Sequence, residues 1–139
     1  MNHYTFDEIA LGHIESFATR IGKEQMELFQ VLTGDENPLH TNTEYASMCG
    51  FSGCVVYGML TASYLSTLAG MYLPGMRALI HSMDISFPNA LVLETGEVTI
   101  SGTVIDKNET FKILTIKVQV LNATKKKVLR GTMKVGVRD

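Results

Sequence analysis

From Tyr45 to Met76 the chain carries no Asp, Glu, Lys or Arg. A run of that length without a charge has to be covered, either by lipid or by the rest of the protein. Its apolar part, residues 55–73, has about the length of a membrane span. However, it contains Thr61, Ser63, Ser66 and Thr67 together with Tyr57 and Tyr64, and it lacks the flanking Lys/Arg cluster of a spanning helix. The run therefore predicts a helix buried on nearly every side inside a globular domain, with no membrane partner. Its small residues, Gly58, Ala62, Ser63, Ser66, Ala69 and Gly70, allow other backbone elements to approach closely.

The remaining segments arrange themselves around that helix. Lys23–Leu32 places Met26, Phe29, Val31 and Leu32 among polar residues, the pattern of a short amphipathic helix. Glu44–Cys49 suggests another short helical turn. Pro74-Gly75 marks a turn, and after it the period changes. Strands are expected at Arg77–Phe87, Glu97–Ile105, Thr110–Leu121 and Lys127–Val137, with a turn at Asp106–Glu109 and a further strand at His13–Ile21. Short connections make neighbouring strands antiparallel. The expectation is an α+β fold, an antiparallel sheet curled around one central helix. No linker or repeat interrupts the chain, so residues 1–139 are read as one domain.

Composition excludes several function classes. The net charge is −2, so the overall balance draws neither nucleic acid nor an anionic membrane surface. The one basic cluster, Lys125–Lys127 with Arg130, reads as a solvated hairpin turn; the second reading is contact with a phosphate-bearing ligand. Cys49 and Cys54 form neither a zinc pattern nor a disulfide framework. One histidine beside Asp35 and Glu44 is too small a set for a metal, and no other cofactor is implied. His81 is expected to be structural. The first residues show no basic segment followed by an apolar run, so no signal peptide is expected and a reducing cytoplasm is the default.

Chemistry concentrates between residues 35 and 60, DENPLHTNTEYASMCGFSGCVVYGML. Asp35 and His40 are a carboxylate and an imidazole, a workable acid–base pair. Pro38 lies between them and pushes Asn37 out of the α region, so both side chains are expected to project from a loop. The helix-like segment then opens at Gly58, where free backbone amides can hold a developing negative charge.

The stretch GDENPLHTNTEYASMCGFSGCVVYGMLTASYLSTLAG resembles the hydratase motif of the MaoC-like, (R)-specific enoyl-CoA hydratases and 3-hydroxyacyl thioester dehydratases. That motif runs Asp-x-Asn-Pro-x-His and then, after a spacer, Gly-Met-Leu at a helix start; here these are Asp35, Asn37, Pro38, His40, Gly58, Met59 and Leu60. The resemblance implies a hot-dog fold and reversible hydration of trans-2-enoyl thioesters, carried on CoA or acyl carrier protein, to (R)-3-hydroxyacyl thioesters. It implies that Asp35 and His40 hold the water and move its protons, with either one as base. It makes the Gly58 amide the donor to the thioester oxygen. Asn37, Tyr57 and Ser66 are implied to border the substrate, and a homodimer, or a dimer of dimers, is implied as the assembly. Two positions depart from the pattern. Tyr57 stands where the family usually carries histidine, and Cys54 where it usually carries proline, so a differently shaped pocket is expected. The alternatives are a hot-dog thioesterase, which needs a carboxylate but not His40, and a non-catalytic acyl-binding hot-dog domain.

Overall fold

A computed structural model describes residues 1–138. Five strands form one fully antiparallel sheet in the order β1-β3-β4-β5-β2: β1 (Ile14–Arg20), β2 (Ala78–Ser86), β3 (Glu97–Asn108), β4 (Ile113–Asn122) and β5 (Lys127–Val137). Between β1 and β2 lie α1 (Lys23–Thr33), the single turn α2 (Pro38–Thr41), α3 (Thr43–Met48) and α4 (Gly58–Thr67). A π-helical turn, Leu68–Tyr72, extends α4.

Period-two alternation makes the sheet one-sided. Val98, Ile100 and Val104 of β3, and Leu114, Ile116, Val118 and Val120 of β4, are all buried. They pack on Leu60, Leu65, Leu68 and Ala69 of the central helix. Gly102 makes the closest approach possible, because a Cβ there would lie 2.9 Å from Leu68 Cδ2 and 2.8 Å from Ile116 Cγ2. The sheet therefore wraps the helix, as the sequence predicts.

The central helix opens at Gly58, as the sequence indicates. Val55 pairs with Val92 as an isolated bridge, and the Val56 amide donates to the Leu91 carbonyl, so 55–57 is extended and the helix starts at Gly58. Two expectations need correction. First, the helix is not buried on nearly every side. Met59 and Met71 are 63% and 44% exposed, and Ser63 and Ser66 lie open beside them. The charge-free face of the helix is open on a single copy of the chain. Finally, the β3–β4 turn comes later than expected. A bulge after Val104 lets β3 run to Asn108, whose Oδ1 caps the Phe111 amide at 2.9 Å. Phe111 thus sits in the turn, exposed, rather than on β4.

Candidate active site

The site is assembled where α1, α2 and the start of α4 meet. Gly34 ends α1 in a left-handed conformation, φ 75°, that a side chain would strain. The chain then turns into 35–37. The Asn37 amide donates to Asp35 Oδ1 at 3.0 Å, and Asn37 Oδ1 in turn accepts from the Leu39 amide at 3.0 Å. Asn37 is thus the N-cap of α2, with Pro38 at its first position, where a missing N–H costs nothing. The restriction that proline places on Asn37 starts a helix here instead of excluding one. Asp35 projects from a loop as expected, but His40 stands on a helical turn.

His40 is held by its ring. Nδ1 lies 2.7 Å from the Val55 carbonyl oxygen. A carbonyl only accepts, so Nδ1 carries the proton and the neutral ring keeps its lone pair on Nε2. Nε2 has no partner among the described residues. The extended course of 55–57 is what brings the Val55 carbonyl to the ring.

Tyr57 touches both members of the pair. Its hydroxyl donates to the Asp35 backbone carbonyl at 2.6 Å. Its ring packs on His40 with centroids 4.1 Å apart, and on Phe29 at 4.8 Å. The side chain is buried, and burial, then the charges of Asp35 and Glu36, push the phenol above its ordinary range. It stays protonated at neutral pH.

At the start of α4 no side chain caps the helix, and the Gly58 amide has no acceptor among the described residues. The Phe87 ring covers this residue; a Cβ on Gly58 would meet it at 3.2 Å. Asp35, His40, Tyr57, Gly58, Met59 and Phe87 share the wall of one open cavity of about 590 Å³. A smaller hollow of about 230 Å³ continues past His40 and Gly58 to Asn89 and Val128.

Residues 9–127 match the family described as MaoC like domain. The chain belongs to the MaoC-like family. It is 33% identical over 108 residues to the (R)-specific enoyl-CoA hydratase of Rhodospirillum rubrum, an alignment covering 76% of this chain and 74% of that protein. Its structure is similar to an (R)-hydratase from A. caviae, with TM-score 0.88 and 28% identity over 93% of this chain and 97% of that one. An R-hydratase from Pseudomonas aeruginosa superposes with TM-score 0.90 at 22% identity, covering 97% of this chain and 86% of that one, which speaks for the fold. The sheet wrapped around α4 is the hot-dog fold of this family.

In this MaoC-like protein the expected site residues divide. Asp35, His40, Tyr57 and Gly58 line one cavity. Asn37 caps α2 beside it. Ser66 does not line that cavity; it lies about two turns along α4, on the open face that Met59 begins. Cys54 lines a neighbouring hollow with His40 and sits 3.7 Å from Thr43 Oγ1. Sequence reasoning missed Phe87 and the Val55 carbonyl. Phe87-Pro88 was legible only as a strand end, and a backbone carbonyl carries no residue-type signal. Among the described residues no helix is long and apolar enough to cross a membrane, and no group of three His, Cys, Asp or Glu is placed to hold a metal ion.

Proposed function

We propose that this MaoC-like domain, residues 1–139, reversibly hydrates trans-2-enoyl thioesters of CoA or acyl carrier protein to (R)-3-hydroxyacyl thioesters. The observation that carries the reading is one cavity walled by Asp35, by His40 with its Nδ1 proton committed to Val55, and by the uncapped amide of Gly58. In the hydration direction a water lies between the Asp35 carboxylate and His40 Nε2. Nε2 takes one proton as the oxygen adds to C3. Asp35 accepts a hydrogen bond from the water and orients it. Electron density moves to the thioester oxygen, where the Gly58 amide donates to it at the positive end of α4. The pair then returns a proton to C2, so the elements of one water are added and no cofactor is consumed. Asn37 sets the loop geometry of Asp35. Ser66 borders the acyl path along the open face of α4.

We also propose a homodimer joined along β2. That strand is a sheet edge, and bare edges pair. Its exposed residues Leu79 and Met83 lead to Phe87 at the cavity wall, which puts the acyl site beside the join.

The test is to incubate the protein with crotonyl-CoA, follow loss of the enoyl absorbance and resolve the product by chiral analysis. The (R)-3-hydroxy thioester is expected. An (S) product, or thioester cleavage without hydration, refutes the reading.

A further inference from the structure

Phe87 serves neither the buried core nor the proposed proton transfers. It lies outside the core and is 45% exposed on a single copy of the chain. It lines both the cavity of about 590 Å³ and the hollow of about 230 Å³, and the only other residues common to the two are His40 and Gly58. These residues mark where the two spaces meet, between the imidazole and the amide that the proposed chemistry uses.

Glycine at 58 is what admits the ring. A Cβ there would stand 3.2 Å from Phe87 Cε1 and 3.4 Å from both Cδ1 and Cζ. A side chain brought in from the end of a distant strand therefore covers the flank of the helix start that residue 58 itself leaves bare. No side chain caps α4, and the Gly58 amide has no acceptor among the described residues.

The frame that holds the ring also holds the amide. Pro88 keeps Phe87 out of the α region. Asn89 Nδ2 donates to the Lys127 carbonyl at 2.8 Å, which ties the segment to the start of β5. The Leu91 carbonyl accepts from the Val56 amide at 2.8 Å, and Val92 bridges to Val55. Residues 87–92 are thus fastened to the extended run that ends at Gly58.

A donor to a developing negative charge is most effective where water is excluded. Water competes for the amide and screens the charge, whereas an apolar group held beside it does neither. We infer that Phe87 is a positioning residue for the proposed hydration: its ring keeps water off one flank of the Gly58 amide and so strengthens the hydrogen bond that the amide gives to the thioester oxygen. The inference rests on the proposed thioester chemistry. The bond strengthens as charge builds on the oxygen, so the effect belongs to kcat more than to KM.

The test compares wild type with Phe87→Ala, Phe87→Leu and Phe87→Tyr. With crotonyl-CoA, kcat should fall about ten-fold in Phe87→Ala, less than the ~10²-fold cost of removing an oxyanion donor outright, with KM within about two-fold. Phe87→Leu should lie between, and Phe87→Tyr, which keeps the ring, should stay within about two-fold of wild type. Infrared spectroscopy reads the shielding itself. Butyryl-CoA, isotope-labelled at the thioester carbonyl, has no double bond to hydrate, and its carbonyl stretch reports the pull on the oxygen. Bound to wild type, that stretch should fall below its frequency in water; Phe87→Ala should lose most of the drop and Phe87→Tyr should keep it. A lower kcat with an unchanged stretch means that the ring only shapes the site, and overturns the inference. So does a rise in KM alone, or a Phe87→Ala protein that matches wild type. If Phe87→Ala does not fold, Phe87→Leu against Phe87→Tyr decides by the same readouts. If wild type hydrates no crotonyl-CoA, it is the proposed reaction that fails. The butyryl-CoA stretch then still tests the ring: a drop that Phe87→Ala loses supports the shielding, and no drop in wild type, or an equal drop in both, overturns it.

Discussion

Replacing Tyr57 by phenylalanine removes one oxygen and leaves the ring. The structure says what that oxygen does: it ties the Asp35 carbonyl to the start of α4 through a 2.6 Å bond. It does not touch the Asp35 carboxylate, and the stack on His40 survives the change. A hydrogen bond of this type contributes about 1 kcal/mol net, because water can resolvate the exposed Asp35 carbonyl. That energy is roughly five-fold in the population of loops that hold Asp35 in place. Tyr57→Phe should therefore lower kcat about two- to ten-fold and leave KM for crotonyl-CoA nearly unchanged. The shape of the pH–rate profile should persist, since in the proposed mechanism the phenol exchanges no proton. The assay is steady-state hydration of crotonyl-CoA across pH for both proteins. A fall of about 10² or more, or loss of a limb, would mean that the phenol moves a proton. An unchanged kcat would mean that the tether does not position Asp35. Either result refutes the reasoning.

Other predictions follow from the same geometry. Asp35→Asn and His40→Ala should each lower kcat by at least ~10²-fold, and the double variant should be little worse than the worse single one; steady-state kinetics on the three proteins checks this. Gly58→Ala forces the Phe87 ring to yield, because its Cβ would lie 3.2 Å away; kcat/KM should fall several-fold, and Phe87→Leu in the same chain should restore part of it. Burial raises the phenols of Tyr57 and Tyr64, so the folded state favours their neutral forms. That contribution is complete below the ordinary phenol value of about 10 and is lost as pH rises past it; denaturant midpoints above pH 10 should fall less steeply in Tyr57→Phe. Light scattering should find a dimer at micromolar concentration, and Leu79→Asp with Met83→Asp should shift it toward monomer.

Much of this protein is determined by local pattern. Alternation places β5 at Lys127–Val137, as the structure has it, because a one-sided sheet repeats every two residues whatever lies beyond it. The charge-free run from Tyr45 locates the central helix, and the Asp35-to-Gly58 spacing marks the residues that line the cavity. Tertiary structure decided what needs distant partners. Leu91 and Val92 hold 55–57 extended ahead of Gly58, which aims the Val55 carbonyl at His40. That carbonyl selects the imidazole tautomer, and no side chain in the sequence announces it. Tyr57 reads in sequence as a departure; only the folding of α1, α2 and α4 together shows it gripping Asp35 and stacking on His40. The open face of α4 makes the same point from the other side. A residue type states that a surface can be covered, but which surface covers it is set by chain segments, or chains, that meet only in space.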